Sequence, residues 1–330
     1  MTILIDRFTF DIIFRLEHSY LEGFISYLNE LVFMLWAYLA MVATIMWSVT
    51  ELFDKFVMDH EIETGRLAAS LSALPFFLIF VTLAPLLENI SFNGSVVWAG
   101  FASGVIHYSA LNSYYQGIRL EDVSRFIPTL SFSTVFIVIV AYFFLGERFS
   151  LPVYLGVLST IVGSILISLE NPLESLKSFQ SRKGMFLAIS AAVLFASKDL
   201  IFKQLISGVG FWSIIFWTGV GGLTYTVFSL LLEKKHIFNG NSKGYKHMAF
   251  IGSLNSVAYF VFAGALTYGP VSLASALTKS ASLFVFAGSV LISRFHPDIF
   301  HEEIDRSTLI QKIFATSLII IGVVVIQVVR

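Results

Sequence analysis

Five ionisable residues fall inside long apolar stretches of the chain: Glu51, His107, Lys198, Asp199 and Lys279. Each costs at least about 2.5 kcal/mol near the centre of a membrane span on insertion scales, so each is a functional candidate by default. Glu51 precedes Lys55 by four residues and Asp199 precedes Lys203 by four, the spacing that lets each carboxylate reach a lysine on its own helix face. Such pairs gate a passage, or neutralise themselves near a helix end with the lysine snorkelling. Lys198 is next to Asp199, about 100° around a helix, and the two are expected to point apart. Lys279 has no carboxylate within a helical turn, so it must face a cavity, where it would contact a substrate, or pair with Asp199 or Glu51 from another helix.

His107 lies mid-span in GVIHYSALN, where an ordinary imidazole would suit proton coupling and a neutral one would bond to a neighbouring backbone group or hydroxyl. Glu51 or Asp199 would carry a proton if burial favoured the neutral acid. Asn112, Tyr114, Tyr115 and Gln116 close one span, and Asn255 and Tyr259 lie in another. Their amides and phenols either glue helices, at about 0.6 kcal/mol each, or serve a substrate. Trp47 would cap an apolar part of a ligand or pack between helices.

Other chemistries are missing from the pattern. The cluster His296, Asp298, His301, Glu302 and Glu303 lacks a HExxH-type spacing and is expected to be a solvated loop with no metal. There is no phosphate-cradling GxxxxGK[ST], no GxSxG elbow and no cysteine, so no cofactor and no ATP-driven step by this chain is expected. A net charge of −1 leaves no broad basic face for nucleic acid.

The elements that position these residues follow from composition. Of 330 residues, 56% are hydrophobic and 13% charged, with mean hydropathy +0.81, which excludes an ordinary water-soluble domain. Apolar windows bounded by charges or turn residues predict ten spans, at 32–54, 67–86, 95–117, 124–145, 152–169, 185–205, 211–232, 248–268, 272–293 and 311–329. Residues 1–31 are too interrupted by charge for a signal peptide, and Phe8, Ile12, Leu16, Tyr20, Phe24 and Leu28 repeat every fourth position, predicting a helix lying in the membrane interface.

Sliding the sequence by 148 positions brings Glu51 onto Asp199, Lys55 onto Lys203, Gly104 onto Gly252, Tyr114 onto Phe262 and Ser131 onto Lys279. Gly163 meets Gly322 once about eleven residues are allowed for FHPDIFHEEIDR. The predicted fold is an all-α polytopic membrane protein of ten transmembrane helices in two inverted five-helix repeats, 32–169 and 185–330, joined by a loop at 170–184. An odd span count per copy inverts the second, and inverted repeats place a site near the midplane and permit alternating access. Gly156, Gly163, Gly219, Gly221 and Gly222 would let helices approach closely, and Pro75 and Pro128 would kink theirs.

The Trp47–Ser48 step followed by Lys55, YYQGIRLEDVS between spans three and four, and LGERFSLPVYLGVLSTIVGSILI closing the first half resemble the EamA-type drug/metabolite transporter superfamily over residues 32–329. The second half departs from the pattern, with LISRFHPD where the first has FLGERFSL, which leaves the subfamily undecided. The resemblance implies ten helices around a central cavity, with the third and eighth spans beside it, that moves small metabolites or drugs by a secondary mechanism; the expected lining is spans one, three, four, six, eight and nine.

Thirteen lysines and arginines fall in one set of alternate loops and four in the other, which puts both termini outside; the resemblance implies both inside. The expected function is secondary transport of a small polar or amphipathic metabolite, with proton coupling as an option, by a monomer or homodimer in a cell membrane, most simply a prokaryotic cytoplasmic one. Exchange of nucleotide-linked sugars or lipid-linked precursors is the alternative, and a membrane-embedded enzyme or scaffold the second.

Overall fold

The computed structural model describes residues 34–54, 56–58, 61–120, 126, 129–169, 182–233, 242–295 and 306–328. The interfacial N-terminal segment, Lys55, Pro128, most of the inter-repeat loop and the histidine-rich loop at 296–305 lie outside the described residues. Helices run over Met34–Met58 (α1), Gly65–Leu87 (α2), Gly94–Ile118 (α3), Phe132–Val140 (α4), Leu151–Ser168 (α5), Arg182–Ile206 (α6), Phe211–Leu232 (α7), Ser242–Tyr268 (α8), Val271–Thr278 (α9), Ala281–Phe295 (α10) and Arg306–Val328 (α11). No strand occurs among the described residues.

Two of the starts follow the local capping rule. Thr64 caps α2 by accepting a hydrogen bond from the Leu67 amide at 3.1 Å, and Asn93 caps α3 by accepting from Ser95 at 3.2 Å. Eight segments are long and apolar enough to cross a membrane: α1, α2, α5, α6, α7, α8, the α9–α10 run and the Ile310–Val328 part of α11. The third and fourth expected spans are helical but fall outside that group. α3 has the length but is diluted by His, Asn, Gln, Tyr and Ser, and Phe132–Leu145 is too short by itself.

The ninth span was expected to be one helix, and it is broken at Lys279 and Ser280. Neither proline nor glycine causes this. Around the break the backbone tightens to three-residue bonds, with the Lys279 amide donating to Ala276 O at 3.1 Å and the Ser280 amide to Leu277 O at 3.0 Å. Three hydroxyls take up nearby carbonyls: Thr278 on Ser275 O and Ser280 on Leu277 O at 2.7 Å, and Ser282 on Lys279 O at 2.8 Å. The repeat equivalent of Lys279 is Ser131, which ends a matching interruption before α4 with nearly the same backbone angles: −64° and −20° against −69° and −15°.

LGER in the first half now has a physical role. α4 runs into a wider turn over Ala141–Leu145 and stops at Gly146, whose φ of +70° is left-handed and suits glycine. The reversal delivers Glu147 to the start of α9, where its two carboxylate oxygens accept the amides of Val271 at 2.7 Å and Ser272 at 3.0 Å. On the preceding α8, Lys203 donates to the terminal carbonyls of Leu266 and Gly269, both at 2.7 Å.

Packing carries the mark of duplication. α2 lies along α7 and α5 along α11, each an equivalent pair, while α3 on α7 is mirrored by α8 on α2. The α5–α11 contact shows it at atomic scale. A Cβ on Gly322 would sit 2.6 Å from the Gly156 carbonyl oxygen, and a Cβ on Gly163 would sit 2.8 Å from that of Ala315. Under the repeat correspondence Gly156 maps to Ala315 and Gly163 to Gly322, so these are one contact and its exchanged copy. Likewise Gly104 abuts Thr218 of α7, and Gly252 abuts Ser72 of α2. Exchange of this kind is what a two-fold relation between the halves requires.

Gly322→Val should lower thermal stability in detergent by about 1–3 kcal/mol through overpacking. Gly94→Ala, where an added Cβ meets nothing within 4 Å, should leave it unchanged within about 0.5 kcal/mol.

Candidate functional site

A cavity of about 220 Å³ opens between the repeats. Its walls come from α1, α3, α6, α8, the break between α9 and α10, and the start of α4, with Ser72 and Phe76 added by α2 and Ser164 by α5. Trp47, Glu51, His107, Tyr114, Tyr115, Asp199, Asn255, Tyr259 and Lys279 all line it. Asn112 does not. It accepts a hydrogen bond from the Gln116 side-chain amide at 2.9 Å along the face of α3, an i,i+4 pair.

The helix carrying Glu51 also supplies Trp47, Thr50 and Asp54, one per turn or less, which fits a single α1 face turned inward. Thr50 donates to the Asn255 side-chain oxygen at 2.9 Å, tying α1 to α8, and the Trp47 ring packs against Phe262 with centroids 5.1 Å apart. Across from them, Lys279 Nζ donates to Ser133 Oγ at 3.1 Å. Hydroxyls crowd that wall: Ser282 donates to Ser164 at 2.9 Å, Ser131 and Ser164 lie 3.3 Å apart, and Thr134 and Ser275 2.8 Å apart. Lys279 forms no ion pair within 4 Å of a described carboxylate, although Glu51 and Asp199 both act on it electrostatically.

Two expectations about α6 are corrected. Asp199 does not reach Lys203, which is spent on the α8 carbonyls, where a helix end leaves acceptors free. Instead Lys198, expected to point away, folds back so that Nζ lies 2.5 Å from Asp199 Oδ1 and 4.2 Å over the Tyr259 ring. Four methylenes span the 100° that separates adjacent Cα positions, and in an apolar interior the gain from pairing exceeds the rotamer cost. The matching Glu51–Lys55 expectation involves a side chain outside the described residues.

His107 is also corrected. Its ring is 4% exposed and is enclosed by Phe76 at 4.6 Å, Phe77 at 5.4 Å, Tyr259 at 5.5 Å and Phe195 at 6.1 Å between centroids. Nδ1 has no hydrogen-bond partner among the described residues, so the backbone or hydroxyl partner expected for it is replaced there by aromatic edges.

Sequence reasoning passed over Asp54, which is 4% exposed and accepts the Tyr115 hydroxyl at 2.7 Å. Its repeat equivalent is Phe202, so matching the halves hid it; the signal available was its place three residues after Glu51, on the same helix face. The serine and threonine wall was missed because no single hydroxyl in a span stands out.

The fold and cavity define an integral membrane protein whose polar chemistry is gathered inside a helical bundle. The EamA-like transporter family matches residues 34–169 and 182–328, and this chain belongs to that family. A solved crystal structure matches with a TM-score of 0.65 over 88% of this chain and 96% of that one at 16% identity, which shows a shared fold. No curated protein matches the chain.

Asp199→Asn should destabilise the protein by about 3 kcal/mol in detergent, since it strands a buried ammonium. Lys198→Met combined with Asp199→Asn should recover most of that loss, and thermal unfolding of the two variants measures the difference.

Proposed function

We propose that this protein is a secondary transporter that carries a small polar or amphipathic metabolite across a cell membrane by alternating access, with its ten spans arranged as two inverted repeats. The observation that carries the reading is the cavity walled by both halves at two helix interruptions related by the repeat, where an unpaired lysine faces carboxylates across a hydroxyl-rich wall. Broken helices at the junction of repeats expose polar backbone and side chains where a solute needs them. Lys279 with Ser133 would hold an anionic or strongly accepting group of the solute, and Trp47, Tyr114 and Phe262 its apolar part. Lys198 and Asp199 neutralise each other and would shape the wall rather than bind.

A volume of about 220 Å³ lies below the roughly 300–1,000 Å³ of sites for drug-sized ligands, which favours a compact solute over a nucleotide-linked sugar or a lipid-linked precursor. The contact exchange between halves, the family and the paired interruptions all support alternating access.

Labelled metabolites screened against proteoliposomes test the reading. Wild type should transport at least one compact polar solute, and Lys279→Ala should slow it by roughly tenfold or more, the loss expected for one charge-assisted contact. Equal rates for every accepted solute would end the Lys279 assignment, and no flux from a folded wild type would end the transporter reading.

A further inference from the structure

The two repeats do not balance their charges alike. In the second, Asp199 is neutralised by Lys198. In the first, Glu51 has no hydrogen bond or ion pair among the described residues, and Asp54, three residues on, accepts the Tyr115 hydroxyl at 2.7 Å and interacts with the Tyr114 hydroxyl. Both line the cavity from one face of α1 and act on each other electrostatically.

The groups facing them are few. α3 offers Tyr114 and Tyr115, with His107 deeper among aromatic rings; α6 offers the Lys198–Asp199 pair; α8 offers Tyr259; and the α9–α10 break offers Lys279. Lys55, on α1 itself, has its side chain outside the described residues. With all three carboxyls and both cavity lysines ionised, the described cavity carries one surplus negative charge. Two carboxylates one turn apart on a helix inside the bundle repel, and among the described cavity residues the second lysine is already bound to Asp199. A single proton removes both the repulsion and the surplus.

We propose that Glu51 and Asp54 share one proton and that this proton is exchanged against the transported solute, which makes Asp54 a coupling residue. The pair would titrate as a unit, with Tyr115 holding the Asp54 carboxyl in place by donating to it. Arrival of a solute that sets an accepting group on Lys279 and a cationic group beside Glu51 and Asp54 would release the proton; departure would restore it. The role in coupling rests on the transporter reading, whereas the shared proton stands on the placement of Glu51 and Asp54 and on the charge balance among the described cavity residues.

Infrared spectra of the full chain in lipid at neutral pH read the shared proton directly. Wild type should show a protonated-carboxyl band amounting to one group, and Glu51→Gln and Asp54→Asn should each abolish it, because either change leaves the remaining carboxylate balanced by Lys279. A wild type without the band, or a band that survives in both variants, overturns the pair. Should Asp54→Asn fail to fold, Glu51→Gln carries the same reading. The second arm uses the proton gradient as probe. For any solute that wild type moves, one unit of pH gradient should change accumulation by up to roughly tenfold, and in Asp54→Asn the ratio of gradient-driven to gradient-free uptake should fall to about one whatever the absolute rate. An unchanged ratio overturns the coupling role. A band present in wild type together with no flux of any solute would support the shared proton and count against the transporter reading, so the two fail separately.

Discussion

A charge inside a helical membrane bundle has no bulk water to solvate it, so it must find an opposite charge, a dense set of hydrogen bonds or a wet cavity. The architecture between the two repeats is organised by that requirement. Lys198 and Asp199 satisfy it by pairing at 2.5 Å, Lys203 by donating to two carbonyls at the end of α8, and Glu147 by accepting two amides at the start of α9. Glu51 and Lys279 have no such partner and both open onto the cavity. The cavity is thus the place where the remaining polar groups of the bundle are collected.

Collecting them there depends on close helix approach elsewhere. α5 meets α11 through Gly156, Gly163 and Gly322 at distances that no side chain would allow, and the same contact occurs in its exchanged form. Such outer pairs brace the bundle, while the spans that break, before α4 and between α9 and α10, lie against the cavity. The interruption at Lys279 puts a lysine beside a run of hydroxyls without any proline, since serine and threonine side chains take carbonyls that a continuous helix would have used. Glu147, held at the other end of α9, anchors that half-helix from a neighbouring loop.

Much of this was legible before any coordinates. Apolar run lengths located the helices to within a few residues, and α7, expected at 211–232, spans Phe211–Leu232. A shift of one copy against the other pointed to Glu51 and Asp199, and both line the cavity. Two kinds of error share a cause. Lys203 was given a partner, and Lys198 denied one, from spacing along one helix, yet a long flexible side chain reaches acceptors on neighbouring helices or folds back along its own. Asp54 was overlooked because the search favoured residues with a counterpart in the other copy, and the first repeat carries a carboxyl where the second has phenylalanine.

The amino-acid order alone determined that this chain is a duplicated helical membrane protein with costly charges inside its spans, because hydropathy, span length and internal similarity are one-dimensional properties that the bilayer reads locally. Which charges neutralise each other, where the ninth span breaks, and which groups stay free to meet a solute were decided only by tertiary packing. Those outcomes depend on distances between helices far apart in sequence, and a few ångströms there separate a closed ion pair from an open binding group.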